Sequence, residues 1–134
     1  MTVRILLVDN EPAVPKLVSI YLESILDDFE IMTAINGESA VNRILLLIRG
    51  GYREKLPDIT ILDLKMPGMG GLEAATKLSM MGVENIYILT AYISPDLIEE
   101  ALRAGAKGIM KKSEGFKEAA QQIADIARTL QAGP

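Results

Sequence analysis

Short aliphatic runs alternate with longer amphipathic stretches five times along the chain. The runs are only five or six residues long, rich in Ile, Leu and Val, and show no strict alternation with polar residues. That pattern is typical of strands buried on both faces of a parallel sheet. We therefore predict five strands, at Val3–Val8, Glu30–Ala34, Asp58–Leu62, Asn85–Thr90 and Lys107–Lys111.

Each predicted strand is followed by apolar residues at helical spacing, which indicates a helix with one buried face. Asn36 and Ser94 have the side chains that helix N-caps require, and the Gly50–Gly51 pair is expected to stop the second helix. The last four residues, 131–134, are expected to fray. The predicted helical faces begin at Val14, Ala40, Leu72, Leu97 and Phe116.

Strands that alternate with helices predict an α/β fold with a parallel sheet and helices on both of its faces. Right-handed crossovers leave few topologies. We predict a single-domain, doubly wound (βα)5 flavodoxin-like fold with strand order 2-1-3-4-5, which places the ends of strands 1 and 3 side by side. The domain is expected to occupy residues 1–134, with its core at about residues 3–130.

Composition narrows the chemistry that the chain can perform. It has no cysteine and no histidine, so thiolate chemistry, a histidine general base and a His-ligated zinc site are excluded. No apolar run approaches 18 residues, and the short run after Met1 does not read as a signal peptide. With a net charge of −4, we expect a cytoplasmic protein that neither enters a membrane nor binds nucleic acid directly through this domain.

Polar residues follow four of the five predicted strands. Asp9 and Asn10 come directly after the first strand, and Asp63 comes directly after the third. Thr90 is the last residue of the fourth strand, and Lys112 follows the fifth. Two acids at adjacent strand ends repel each other unless a cation lies between them, and Mg²⁺ prefers such oxygen ligands. Helix caps and a solvated lysine are the alternative interpretation. Together, however, a metal, a hydroxyl and an ammonium around one carboxylate suit phosphoryl transfer to that carboxylate.

These residues resemble the receiver domain of two-component response regulators, and the resemblance covers about residues 3–130. Five separated motifs occur in the order of that family, and the stretch that begins at Asp63 is the most specific of them. The motifs are ILLVDNEP at 5–12, AINGESA at 34–40, DITILDLKMPGMGG at 58–71, ILTA at 88–91 and the segment from AGA to the second lysine at 104–112.

The resemblance implies that Asp63 accepts phosphate from a histidine kinase or a phosphotransfer protein. It also implies a Mg²⁺ ion held by Asp9, Asn10, Asp63 and the backbone carbonyl of Lys65. Asn10 stands where the family has a second acid. The site therefore has one negative charge less, and we expect weaker Mg²⁺ binding and altered phosphorylation or dephosphorylation rates.

The same resemblance assigns Thr90 as the switch hydroxyl and Lys112, rather than Lys111, as the phosphate-binding lysine. Ile109 occupies the position of the family's aromatic switch, and Ser113 that of its cis-proline. An aromatic flip is therefore not expected, and a cis bond before Ser113 would be very rare.

The expected function is that of a phosphoaccepting receiver whose fourth helix, fifth strand and fifth helix form the switching face. It would show self-phosphorylation and autodephosphorylation but would not be an enzyme, and a homodimer is one form that its output could take. The alternative is a degenerate receiver that acts as a phosphorylation-independent protein interaction module. A flavin-binding domain of similar fold is disfavoured, because the loop after strand 1 is acidic where a phosphate needs amides and hydroxyls.

Overall fold

A five-stranded parallel sheet forms the centre of the protein in a computed structural model that describes residues 1–133. Pro134, the last residue of the predicted domain, lies outside the described residues. The sheet has the strand order β2-β1-β3-β4-β5, which confirms the predicted topology. Its strands are β1 (Val3–Val8), β2 (Phe29–Ala34), β3 (Ile59–Asp63), β4 (Ile86–Thr90) and β5 (Gly108–Lys111).

Five helices connect or follow these strands, as predicted. Asn36 and Ser94 are N-caps: the Asn36 side chain accepts a hydrogen bond from the Ser39 N–H at 2.8 Å, and Ser94 Oγ accepts one from the Leu97 N–H at 3.2 Å. The helices are α1 (Ala13–Ile25), α2 (Gly37–Arg49), α3 (Gly71–Met80), α4 (Pro95–Arg103) and α5 (Phe116–Ala132).

The helices cover both faces of the sheet, so the protein has two apolar layers. Residues of α1 and α5, such as Val18 and Ile123, pack on one face. Residues of α2, α3 and α4, such as Ile44, Leu78 and Ala101, pack on the other. Because the central strands are buried from both sides, their sequences are continuously apolar, and this is the pattern from which they were predicted.

The expected fraying of the C-terminus is wrong for residues 131 and 132. The helix α5 continues to Ala132, and Gln131 Nε2 donates hydrogen bonds to the backbone carbonyls of Asp27 and Asp28 at 3.0 and 3.1 Å. These tertiary hydrogen bonds, between residues about 100 positions apart, hold the last turn. None of the helices in residues 1–133 has the length and the apolarity needed to cross a membrane.

Candidate functional site

Two acids meet at the carboxyl edge of the sheet because β1 and β3 are neighbours. Val8 pairs with Leu62, so the next residues, Asp9 and Asp63, leave the two strands side by side. Both are buried, with 3% and 7% of their surfaces exposed. Burying two carboxylates this close together is costly unless a positive group compensates them.

Lys112 supplies that positive group from the end of β5, an edge strand of the sheet. It follows β5 at the start of a short 3-10 turn, Lys112–Glu114. Its Nζ lies 2.9 Å from Asp63 Oδ1 and 3.1 Å from Asp9 Oδ2, so one ammonium forms ion pairs with both carboxylates. The structure therefore brings together three of the residues that the sequence singled out.

The charges in this cluster shift the pKa values of its members. Burial raises the pKa of Asp63; the ion pair with Lys112 opposes this shift, whereas the charges of Asp9 and Glu11 add to it. For Lys112, burial alone would lower the pKa, but the two carboxylates outweigh it and the pKa is raised. At neutral pH, the lysine is therefore firmly charged, while the ionised form of Asp63 depends on the positive charge beside it.

An open pocket of about 440 Å³ lies against Asp63. The backbone or side chains of Asn10, Lys65 and Thr90 also line it, so every residue of the predicted site except Asp9 faces this space directly. A pocket of this volume leaves room for a small group beside the Asp63 carboxylate.

The oxygen atoms around this pocket fit a hard divalent cation. Asp9 Oδ1 accepts a hydrogen bond from the Glu11 N–H at 2.9 Å, but Asp9 Oδ2 is buried and receives no hydrogen bond, although Lys112 Nζ is within ion-pair distance. A buried carboxylate oxygen with spare acceptor capacity, beside a second carboxylate, suits Mg²⁺, which keeps several waters and needs few protein ligands.

Asn10 and Lys65 are both exposed at the rim of the pocket. The amide of Asn10 offers a neutral oxygen where an acid would offer a charge. Accordingly, no three His, Cys, Asp or Glu side chains within residues 1–133 lie close enough together to hold a metal. Any Mg²⁺ bound here would therefore rely on amide and backbone oxygens in addition to the two aspartates.

Thr90 is buried at the end of β4 and lines the pocket, but the hydrogen bonds of its hydroxyl go to Tyr92 and not to Asp63. Thr90 Oγ1 accepts a hydrogen bond from the Tyr92 N–H at 3.3 Å and donates one to the Tyr92 carbonyl at 3.2 Å. The hydroxyl is thus engaged with the loop that leads into α4. To reach a group on Asp63, it would have to give up these two bonds, which are long for hydrogen bonds.

Two departures noted in the sequence lie next to this site. Ile109 is half-buried in β5 and packs with the layer formed by α2, α3 and α4. The bond between Lys112 and Ser113 is trans, as are the other peptide bonds in residues 1–133. The 3-10 turn at Lys112 therefore positions the lysine without a proline.

Sequence reasoning missed two parts of the pocket. Tyr92, which is 81% exposed, and Leu97 both line it from the β4–α4 side. Neither residue type carries a chemical signal of its own, and only the path of the loop brings them there. Glu11, which is exposed, also lines the pocket.

Comparison with known proteins identifies the family. The family model named response regulator receiver domain matches residues 5–124 of this chain. The transcriptional regulatory protein DesR of Bacillus subtilis (strain 168) is 34% identical over 101 residues, which are 75% of this chain and 46% of DesR. The response regulator GacA of Pseudomonas viridiflava is 32% identical over 123 residues, which are 90% of this chain and 53% of GacA.

The chain thus spans about half the length of these curated relatives. Because DesR is named a transcriptional regulatory protein, these relatives do not support the expectation that this domain does not bind nucleic acid directly.

Solved structures agree with this assignment. A two-component response regulator of the LuxR family from Aurantimonas sp. SI85-9A1 is 30% identical, with a TM-score of 0.73 over 94% of this chain and 85% of that one. The response regulator domain of Thermotoga maritima CheB, at 22% identity, shares the fold, with a TM-score of 0.79 over 96% of both chains. Since the family model spans most of the residues that build both the sheet and the pocket, this chain belongs to the response regulator receiver domains.

Proposed function

We propose that the chain is a phosphoaccepting receiver in which Asp63 takes a phosphoryl group from the phosphohistidine of a sensor histidine kinase or phosphotransfer protein. The observation that carries the proposal is the placement of Asp63. Its carboxylate is nearly buried at the end of β3, opens onto a pocket of about 440 Å³, and lies 2.9 Å from the Lys112 ammonium.

The proposed reaction is a displacement at phosphorus. An oxygen of Asp63 attacks the phosphorus atom, the P–N bond to the donor imidazole breaks, and its electron pair stays on the imidazole nitrogen. The product is an acyl phosphate on Asp63 and a free histidine on the donor. Residues 1–134 include no histidine, so the donor imidazole has to come from outside this domain.

The residues around Asp63 have distinct roles in this proposal. Lys112 stabilises the negative charge on the transferring phosphoryl oxygens. Asp9, Asn10, Asp63 and the Lys65 carbonyl would hold Mg²⁺. When bound, this ion would supply a second positive charge for the same oxygens. The chemistry is limited to phosphorylation and dephosphorylation of the chain itself, so the protein is a signalling domain and not an enzyme that turns over a separate substrate.

The phosphoryl group would be detected through Thr90. A phosphoryl group adds a charge of roughly −1.5 to −2 and three strong acceptor oxygens. The Thr90 hydroxyl would leave Tyr92 and donate to one of these oxygens, which would move the loop that begins α4. The change would appear on the face formed by α4, β5 and α5, where a partner protein or a second copy of the chain would bind. We place this signalling in the cytoplasm.

A second candidate function is a receiver that binds its partner without being phosphorylated. The observation in its favour is Asn10, because a site without the second acid attracts Mg²⁺ less strongly. Ile109 is consistent with it, since no aromatic side chain on β5 is available to follow Thr90.

Incubation with acetyl phosphate and Mg²⁺, read by intact mass, separates the two candidates. We expect the wild-type protein to gain the mass of one phosphoryl group and Asp63→Asn to gain none. Asp125→Asn, which removes an exposed carboxylate on α5, is the matched control and should be modified like the wild type. Absence of an adduct on the wild-type protein at every Mg²⁺ concentration would leave the phosphorylation-independent module.

A further inference from the structure

A short hydrogen bond joins the start of α2 to the loop between β3 and α3. Glu38 Oε1 accepts this bond from the Met69 N–H, with a nitrogen–oxygen distance of 2.6 Å. The backbones are also pressed together, because a Cβ atom added to Gly37 would lie only 2.7 Å from the Met69 carbonyl oxygen. Residues 31 positions apart in the sequence are therefore in direct contact.

Gly68 is shaped to receive the Glu38 carboxylate. Its φ of +75° is a conformation that favours glycine. A Cβ atom at this position would lie 2.5 Å from Glu38 Oε1. The absence of a side chain at Gly68 thus leaves the space that the carboxylate occupies, so the two residues are complementary.

The contact favours the ionised form of Glu38. The hydrogen bond from the Met69 N–H is the largest cause that lowers the pKa of this carboxyl, and the backbone N–H of Glu38 itself is the second. Desolvation raises the pKa, and the charge of Lys77 lowers it further. A charged acceptor makes a stronger hydrogen bond than a neutral one.

The loop that Glu38 holds forms one wall of the phosphoacceptor pocket. Leu64 and Lys65, at the start of the loop, line the pocket beside Asp63. The ends of the loop are joined by a backbone hydrogen bond from the Gly71 N–H to the Leu64 carbonyl, at 2.9 Å. Between these ends, the bond that the Met69 N–H donates to Glu38 is the one hydrogen bond within residues 1–133 that joins the loop to a side chain.

We propose that Glu38 is a positioning residue for the phosphoacceptor site: its carboxylate holds the β3–α3 loop against α2 and thereby fixes the backbone of Lys65 beside Asp63. This inference rests on the proposed function, because the Lys65 carbonyl matters there as a Mg²⁺ ligand. Glu38 does not line the pocket that Asp63 faces. It acts through the loop, and it couples the start of α2 to the geometry of the site.

The test compares Glu38→Ala and Glu38→Gln with the wild-type protein in three measurements. These are amide exchange at Met69 by NMR, Mg²⁺ affinity by calorimetric titration, and the rate of phosphorylation by acetyl phosphate. In Glu38→Ala we expect exchange at Met69 to accelerate by about tenfold, as for loss of a charge-assisted hydrogen bond. We also expect Mg²⁺ affinity and the phosphorylation rate to fall severalfold, with Glu38→Gln intermediate in all three measurements, because its amide oxygen still accepts.

Glu118→Gln is the matched control, since it removes an acid from the first turn of α5, away from the loop. It should leave all three measurements unchanged. If it matches Glu38→Gln, a general effect of charge at helix ends explains the data and the proposal is overturned. Faster exchange in Glu38→Ala with unchanged Mg²⁺ affinity also overturns it, because the bond would then be structural only. If the wild type is never phosphorylated, the proposed function fails, and the Mg²⁺ titration still decides the role of Glu38.

Discussion

At the scale of single residues, the site is a balance of a few charges. Asp9 and Asp63 are both nearly buried, and Lys112 is the positive group that offsets them. In a surrounding of low dielectric, such charges interact more strongly than in water. One added or missing charge at the rim therefore changes how the site binds a cation, and Asn10 is the position where this chain lacks one.

The Asn10→Asp variant tests this balance. It places a carboxylate at the pocket rim, so we expect Mg²⁺ to bind about tenfold more tightly. Two unit charges 4 Å apart interact by about 1 kcal/mol in water and about 4 kcal/mol near a protein surface, before desolvation is counted. Calorimetric titration with Mg²⁺ measures the change.

Asn42→Asp adds the same charge at an exposed position of α2, outside the pocket, and controls for net charge. Equal Mg²⁺ affinities in Asn10→Asp and the wild type would show that Asn10 does not weaken the site.

At the scale of elements, the β3–α3 connection determines how accurately Asp63 is held. The loop turns back immediately after the strand, so Gly71 at the start of α3 lies against the end of β3. A Cβ atom at Gly71 would overlap the carbonyl oxygen of Asp63 and lie 3.0 Å from Leu64 Cα. Both atoms belong to the backbone, which cannot move aside as a flexible side chain can.

Gly71→Ala should therefore destabilise the fold and disturb the site together. We expect its free energy of unfolding in urea to fall by about 1–3 kcal/mol, the usual cost of overpacking, and its phosphorylation by acetyl phosphate to slow.

The neighbouring variant Gly70→Ala is the control for this prediction. The φ angle of Gly70 is −75°, an ordinary value for any residue, and a Cβ atom added there would lie 3.3 Å from the Leu64 carbonyl oxygen. Equal stabilities of the two variants would contradict the proposed close packing at Gly71.

At the scale of the whole molecule, the helices differ in length and in how many of their residues are buried. The long helices α1 and α5 share a continuous apolar layer with β1 and β3. By contrast, α4 has nine residues, of which only Leu97 and Ala101 are buried. Its residues Ile98 and Leu102 are exposed beside a pocket of about 330 Å³ against Ile109. Elements with little buried surface are the ones that rearrange at low cost.

Phosphorylation should therefore be visible in α4 and β5 rather than across the molecule. We expect amide exchange in Pro95–Arg103 and Gly108–Lys111 to change when Asp63 is phosphorylated, while exchange in α1 and in β1 stays the same. Hydrogen–deuterium exchange read by mass spectrometry, with Asp63→Asn treated in the same way as the control, measures this. A uniform change over all helices, or none in α4, would contradict a switch located on this face.

The amino-acid sequence by itself determined the strands, the helices and the residues at the ends of the strands, and it left few possible orders of the strands in the sheet. These follow from local patterns, because burial on both faces makes a strand apolar and right-handed crossovers restrict the topology. Only the tertiary structure decided that the Thr90 hydroxyl bonds to Tyr92, that Lys112 contacts both aspartates, and that Gln131 orders the end of α5. It also decided the contact between Glu38 and Met69. Such contacts join residues whose positions depend on loop paths and side-chain rotamers, and no local pattern in the sequence specifies these.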